Sequence, residues 1–349
     1  MYDGMITFAV AFATSFGLTM PVRQLALRIG MVDHPGPRKV HGTPMPLLGG
    51  LAIYSGTILA LVFRLRGQAF GEILGILAAA TLLLLIGTLD DRGWLHHQVK
   101  LLVAMPTAAL VLVASGIRAN LASVLLPPRL AGIATGLDVA ITLLWVTGIT
   151  AAFSILDHMD GLCSGVAAVA ALFFALLATW NGQVLVATLA AAVFGAALGF
   201  LGWNFNPAKI FMGDGGAMFL GFMMATLSLK LRLAGISGAM VWMVTVLILI
   251  VPIFDTMLVS ISRARRGLLP FASPGKDHTA HRLSNLGLKH RGAVLVLYSV
   301  GTACGLLALL VSHSAPATSY ELAIMLTLAA VCAVMVLERL PYERQKASH

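Results

Sequence analysis

Charge is scarce in this sequence. Asp, Glu, Lys and Arg make up 11% of its 349 residues, where a soluble chain carries about a quarter. Only 14 residues are acidic. That shortage excludes an ordinary soluble fold, and no polar block is long enough for a separate soluble domain. Cysteine is also scarce: Cys163, Cys304 and Cys332 match neither a disulfide framework nor a zinc site. They read as inert thiols beside apolar spans. No internal repeat is visible.

The chain is 59% hydrophobic. Runs of about twenty apolar residues recur along it, and each can cross a bilayer as a helix. Eleven are expected, near residues 5–20, 47–63, 73–89, 99–115, 136–153, 162–180, 184–201, 217–229, 236–261, 293–312 and 320–337. The first has no basic region before it and no small-residue cleavage site after it, so a retained span is expected and not a signal peptide. The sequence therefore predicts an all-α polytopic membrane protein, one integral-membrane domain over residues 1–349. Of the 23 Lys and Arg residues, 17 fall in one set of loops and 6 in the other. The positive-inside rule puts the richer set in the cytoplasm, the N-terminus outside and the C-terminus inside. The net charge of +9 reads as this bias together with attraction for anionic substrates or lipids, and not as nucleic-acid binding.

Against this background five polar clusters stand out: Asp90-Asp91, Asp157-His158-Met159-Asp160-Gly161, Gly213-Asp214-Gly215-Gly216, Asp255, and Asp277-His278 with His281. An Asp at a helix centre in a bilayer costs roughly 2.5–3.5 kcal/mol, so such residues usually mark function. Four clusters fall at the expected cytoplasmic ends, and Asp255 lies deeper in the ninth span. Asp90 and Asp91 point about 100° apart on a helix, so one can bind while the other supports; the plainer alternative is a solvated helix end with Arg92 as counter-ion. Asp157 and Asp160 share a face if the helix continues through them. Asp214 sits in a glycine-rich turn at a helix start, which suits a metal ion with phosphate oxygens, or a simple cap. The loop 263–291 carries Arg263, Arg265 and Arg266, then Pro270-Phe271, His278, His281 and Arg282. Its cations could hold a diphosphate or merely fix topology; zinc on His278 and His281 lacks a nearby third ligand.

Taken in order, these clusters resemble the polyprenyl-phosphate N-acetylhexosamine-1-phosphate transferases, the family of phospho-N-acetylmuramoyl-pentapeptide transferase. The resemblance spans nearly the whole chain. It rests on Arg38-Lys39-Val40-His41 with Pro46-Leu47-Leu48-Gly49-Gly50, on Asp90-Asp91, on Asp157-x-x-Asp160-Gly161, on Phe211-Met212-Gly213-Asp214, on Pro252-x-x-Asp255 and on the His278/His281 loop. The Arg-Lys-x-His segment and the histidine loop look more like the branch that initiates surface glycans and teichoic acids. The resemblance implies transfer of a sugar 1-phosphate from a UDP-sugar to a polyprenyl phosphate, with release of UMP. It implies Mg2+, or Mn2+, at Asp214 and Asp91, and catalytic parts for Asp90, Asp91 and His278. It implies substrate contacts from Lys39, His41, Asp157, Asp160, Asn204, Phe211, His281 and Arg282, at the cytoplasmic face of a bacterial-type plasma membrane. A homodimer is compatible with it. Departures from the family pattern fall at Ala151, Ser154, His158, Gly216 and Ala280; His158 stands where a Gly is expected, and Ala280 where the loop usually has a middle His. A secondary transporter and an inactive lipid-binding homologue are the alternatives.

Overall fold

The computed structural model describes residues 2–35, 43–64, 70–95, 97–268, 275–314 and 316–340. Apart from one antiparallel pair, Val32–Asp33 with Met45–Pro46, its regular structure is helical. In chain order the helices are α1 (Tyr2–Arg28), α2 (Gly49–Arg64), α3 (Phe70–Asp90), α4 (His97–Val99), α5 (Met105–Ala114), α6 (Ala122–Leu125), α7 (Ala131–Leu156) and α8 (Leu162–Trp180). They continue with α9 (Val184–Asn204), α10 (Gly213–Lys230), α11 (Gly238–Ile248), α12 (Ile250–Ala264), α13 (Thr279–Asn285), α14 (His290–Val311) and α15 (Pro316–Arg339). Among the described residues six helices are long and apolar enough to cross a membrane, and the bent pair α11–α12 makes a seventh if it is one span. The chain is an all-α, multi-pass membrane protein.

Every expected apolar run falls on helix, but two are interrupted. The ninth run is α11 and α12, bent by 76°. Pro252, in the first turn of α12, has no N–H to continue a ladder from α11, so the chain turns instead. The fourth run enters through α4 and a π-helical turn at Lys100–Ala104 before α5. Pro106 lies at the start of α5, and its missing N–H leaves the preceding turn free to widen.

Helix α10 is the axle of the bundle. From Gly215 to Leu229 its side chains are buried all round, and it packs on α7, α3, α2, α8 and α9. A helix apolar on every face belongs in a core or a membrane. The outer helices turn the other way, exposing Leu59, Leu85, Leu144 and Leu306, as a lipid-facing belt would. Two glycine contacts set how closely the central helices approach. A Cβ on Gly50 would lie 2.4 Å from the Cα of Gly216, and one on Gly87 would lie 2.5 Å from the Cα of Gly215. Backbone therefore meets backbone where α2 and α3 cross the start of α10. The segment before α10 is pinned as well, since Gly49 N–H donates to the Phe211 carbonyl at 2.9 Å and Gly50 N–H to that of Met212 at 2.8 Å.

Candidate active site

The glycine contacts deliver three carboxylates to one end of the bundle. Asp90 closes α3, Asp91 follows it, and Asp214 lies in the first turn of α10. Lys100, from the π turn, bridges them: its Nζ lies 2.5 Å from Asp90 Oδ2 and 2.6 Å from Asp214 Oδ2. Ser154, near the end of α7, donates to Asp214 Oδ1 at 2.8 Å. Asp91 accepts the backbone N–H groups of Asp214 at 2.9 Å and Gly215 at 3.4 Å. It thereby caps α10 from another helix, where the unpaired N–H groups favour an anion. Burial, then the charge of Asp214 beside it, raises Asp91 to about 7.

Asp157 joins this group. Helix α7 ends at Leu156, so the condition for a shared helical face fails and Asp157 and Asp160 point apart. Asp160 turns away and accepts from Asn206 Nδ2 at 2.9 Å and Ala208 N–H at 3.0 Å. Asp157 turns inward. Burial, followed by the charges of Asp214, Asp91 and Asp160, pushes it well above the usual carboxylate range. It has no hydrogen-bond or ion-pair partner among the described residues. Asp91, Asp157 and Asp214 thus crowd negative charge that one lysine does not balance. Their hard carboxylate oxygens are the donor set a small divalent cation prefers, and these residues could hold one.

The sequence profile of glycosyl transferase family 4 matches residues 73–232, which include Asp90, Asp91, Lys100, Ser154, Asp157 and Asp214. Over 300 residues the chain is 36% identical to the probable undecaprenyl-phosphate N-acetylglucosaminyl 1-phosphate transferase of Bacillus subtilis (strain 168), covering 85% of this chain and 82% of that one. The chain belongs to glycosyl transferase family 4. It is also 34% identical over 324 residues to the decaprenyl-phosphate N-acetylglucosaminephosphotransferase of Mycobacterium tuberculosis (strain ATCC 25618 / H37Rv), with 84% and 78% of the two chains covered. With the undecaprenyl-phosphate alpha-N-acetylglucosaminyl 1-phosphate transferase of Yersinia pestis, identity is 28% over 295 residues, covering 82% and 78%.

Within this glycosyl transferase the remaining expected residues separate into two kinds. Some lie close to the carboxylates along the chain or touch a residue that does. Phe211 is partly exposed, its backbone held by Pro46 and Gly49. His278 and His281 lie beside His158. Burial, then His278, lowers the His281 imidazole to about 4. Lys39 and His41, with Pro270 and Phe271, lie outside the described residues.

Others are committed to the fold. Asn204 is buried, accepts from Gly161 N–H at 3.1 Å and Ser164 Oγ at 3.0 Å, and donates to the Ile210 carbonyl at 3.0 Å. It clamps the α7–α8 turn to the segment before α10 and has little left for a nucleotide. Arg263 and Arg266 both bind Asp277, at 2.9 and 2.6 Å. Arg282, expected on the diphosphate, is fully buried. It donates to the carbonyls of Asp277 at 2.9 Å and Leu337 at 2.7 Å and to Ser262 Oγ at 3.0 Å, and pairs with Glu338 at 2.7 Å. It ties α13 to α12 and α15. Replacing it by Ala leaves Glu338 as a partly buried charge with its main partner gone, a change that costs about 3–5 kcal/mol. Arg282→Ala should therefore lower the thermal unfolding temperature in detergent by several degrees. A loss of turnover with unchanged unfolding would return Arg282 to the substrate.

Sequence reasoning missed Lys100 and Ser154. Arg92 is not the counter-ion of the Asp pair; its Nε reaches Met31 Sδ at 3.1 Å and its guanidinium lies over Trp94. The one signal for Lys100 was a lone cation at the threshold of an apolar run. Ser154, a departure from the family pattern, turns out to hold Asp214.

Proposed function

We propose that this chain transfers N-acetylglucosamine 1-phosphate from its UDP conjugate to a polyprenyl phosphate, releasing UMP and starting a lipid-linked glycan. The observation that carries the reading is the convergence of Asp91, Asp157 and Asp214 at one end of an apolar bundle, in a chain whose relatives are named for this transfer to undecaprenyl or decaprenyl phosphate. In the reaction an oxygen of the acceptor phosphate forms a bond to the β-phosphorus of the donor. The bridging oxygen then leaves with UMP. The acceptor is largely dianionic at neutral pH, by analogy with other phosphate monoesters, so it needs no strong base. The chain's task is positioning and charge. Asp91 and Ser154 fix Asp214, while Lys100 sets the spacing of Asp90 and Asp214 and offers an ammonium to phosphate oxygens. Magnesium, or manganese, bound by Asp214 with Asp91 and Asp157 would neutralise the diphosphate and the developing charge on UMP. Eleven crossings, N-terminus outside, in a bacterial plasma membrane, would put this end in the cytoplasm, where nucleotide and lipid both arrive. The relatives' names support neither a transporter nor an inactive homologue.

The test uses the full chain in detergent with undecaprenyl phosphate, magnesium and a panel of UDP-sugars. UMP release is expected with UDP-N-acetylglucosamine and should stop when the metal is chelated. Release only with a different UDP-sugar would change the substrate, and none with any would overturn the reading.

A further inference from the structure

A second polar group adjoins the carboxylates and is built from different chemistry. His158 lies in the turn between α7 and α8, Asp255 on α12, and His278 at the N-cap of α13. The His158 ring stacks on His278 with centroids 4.0 Å apart, and His281 stands 4.8 Å from His158. One nitrogen of His158, one of His278 and one oxygen of Asp255 all lie within 4.8 Å of one another. Three separate segments of chain supply them.

Two of the three are held by a contact outside the cluster, and His278 by Asp255 itself. Asp255 Oδ1 accepts the Thr279 N–H at 2.7 Å, and its Oδ2 lies 2.8 Å from His278 Nδ1. His158 Nδ1 lies 3.1 Å from the Ile155 carbonyl. A carbonyl only accepts, so that nitrogen carries the proton and Nε2 presents a lone pair. Nε2 is buried and has no hydrogen-bond partner. Leaving a buried acceptor unmatched costs about 1–3 kcal/mol. A metal ion removes that cost. The pattern of one ring nitrogen donating to a backbone carbonyl while the other faces inward is how ligating histidines are usually oriented. The 2.8 Å between His278 Nδ1 and Asp255 Oδ2 needs to open only to about 3.3 Å to span two tetrahedral ligands with bonds of about 2.0–2.1 Å.

We propose that His158, His278 and Asp255 bind a divalent transition metal of the zinc class, at a site separate from the Asp91–Asp157–Asp214 carboxylates. The donors decide the class. Two imidazoles and one carboxylate suit zinc or cobalt, whereas magnesium takes oxygen ligands and water. Three protein ligands leave a fourth position for water or a phosphate oxygen, the arrangement of zinc sites that act on a bound oxygen. The ion would also tie the α7–α8 turn to α12 and α13. None of this depends on the sugar-phosphate reading, because the site is detected by metal binding without turnover.

The experiment titrates cobalt into the full-length, chelator-stripped protein in detergent, in excess magnesium, and follows the visible d–d bands. The bands should saturate near one equivalent and be displaced by zinc but not by magnesium. His158→Ala and His158→Gln, the second closer in size, should weaken cobalt binding at least about a hundredfold. Loss of an outer-shell partner alone already costs roughly 10–100-fold. Asp214→Asn should keep the bands. Size-exclusion and circular dichroism confirm that each variant is folded. Absence of bands in the folded parent, or bands unchanged in both His158 variants, overturns the proposal. So does their loss in folded Asp214→Asn, which would make the two sites one.

Discussion

Asp214→Asn should release UMP about a thousandfold more slowly than the parent chain while remaining folded. Asn has the same shape and can still accept from Ser154, which now reaches Asp214 at 2.8 Å. Lys100 keeps its pairing with Asp90 at 2.5 Å, so packing around the start of α10 has little cause to change. What disappears is the negative charge that both Lys100 and a divalent cation would share. A metal that offsets charge on transferring phosphates contributes several kcal/mol. About 4 kcal/mol lost from transition-state stabilisation is the thousandfold expected. The measurement is UMP release across magnesium concentrations, with circular dichroism as the fold control. Near-parental rates in the variant, or full parental activity in excess chelator, would remove Asp214 from the chemistry.

How much of this could be read beforehand depends on the range of the interaction. Apolar runs report their own helices, because a helix in lipid satisfies its backbone internally. The turn-forming glycines of 213–216 likewise announce the start of α10. Pairings across the bundle leave no such local mark. Arg92 is beside Asp91 in sequence, yet Lys100 takes the carboxylates because the Gly87–Gly215 contact sets which helix end faces which. Arg282 reads as an exposed loop cation until its partner Glu338 arrives from a helix 56 positions later. His158 reads as an odd substitution in an acidic motif, and only the fold sets it on His278. The Asp157–Asp160 spacing is undecided by sequence for a related reason. Helical periodicity applies only inside a helix, and α7 stops one residue before Asp157.

Asp90→Asn and Asp91→Asn should differ, with the larger loss at Asp91. Asp91 does two things at once. It caps α10, accepting N–H groups from Asp214 and Gly215, and it adds charge beside Asp214. Asn can accept one of those hydrogen bonds but supplies no charge, and it places an amide donor against N–H groups that need an acceptor. Both the aim of Asp214 and the attraction for a cation suffer. Turnover should fall roughly a hundredfold or more, about 2.7 kcal/mol, and the magnesium needed for half-maximal rate should rise. Asp90 pairs with Lys100 and lies against Asp214, its side chain 13% exposed, but it does not cap α10. Removing its charge frees Lys100 to lean wholly on Asp214, which remains in place. Turnover in Asp90→Asn should stay within about tenfold of the parent, one power of ten being about 1.4 kcal/mol, with the main change in the Michaelis constant for the lipid phosphate that Lys100 no longer meets at its set distance. Rate and Michaelis constants for both substrates, measured at several magnesium concentrations, separate the two. Equal and near-normal kinetics in both variants would show that the Asp pair only terminates α3. The reverse order of losses would make Asp90 the residue that meets the reacting phosphates and leave Asp91 as a helix cap.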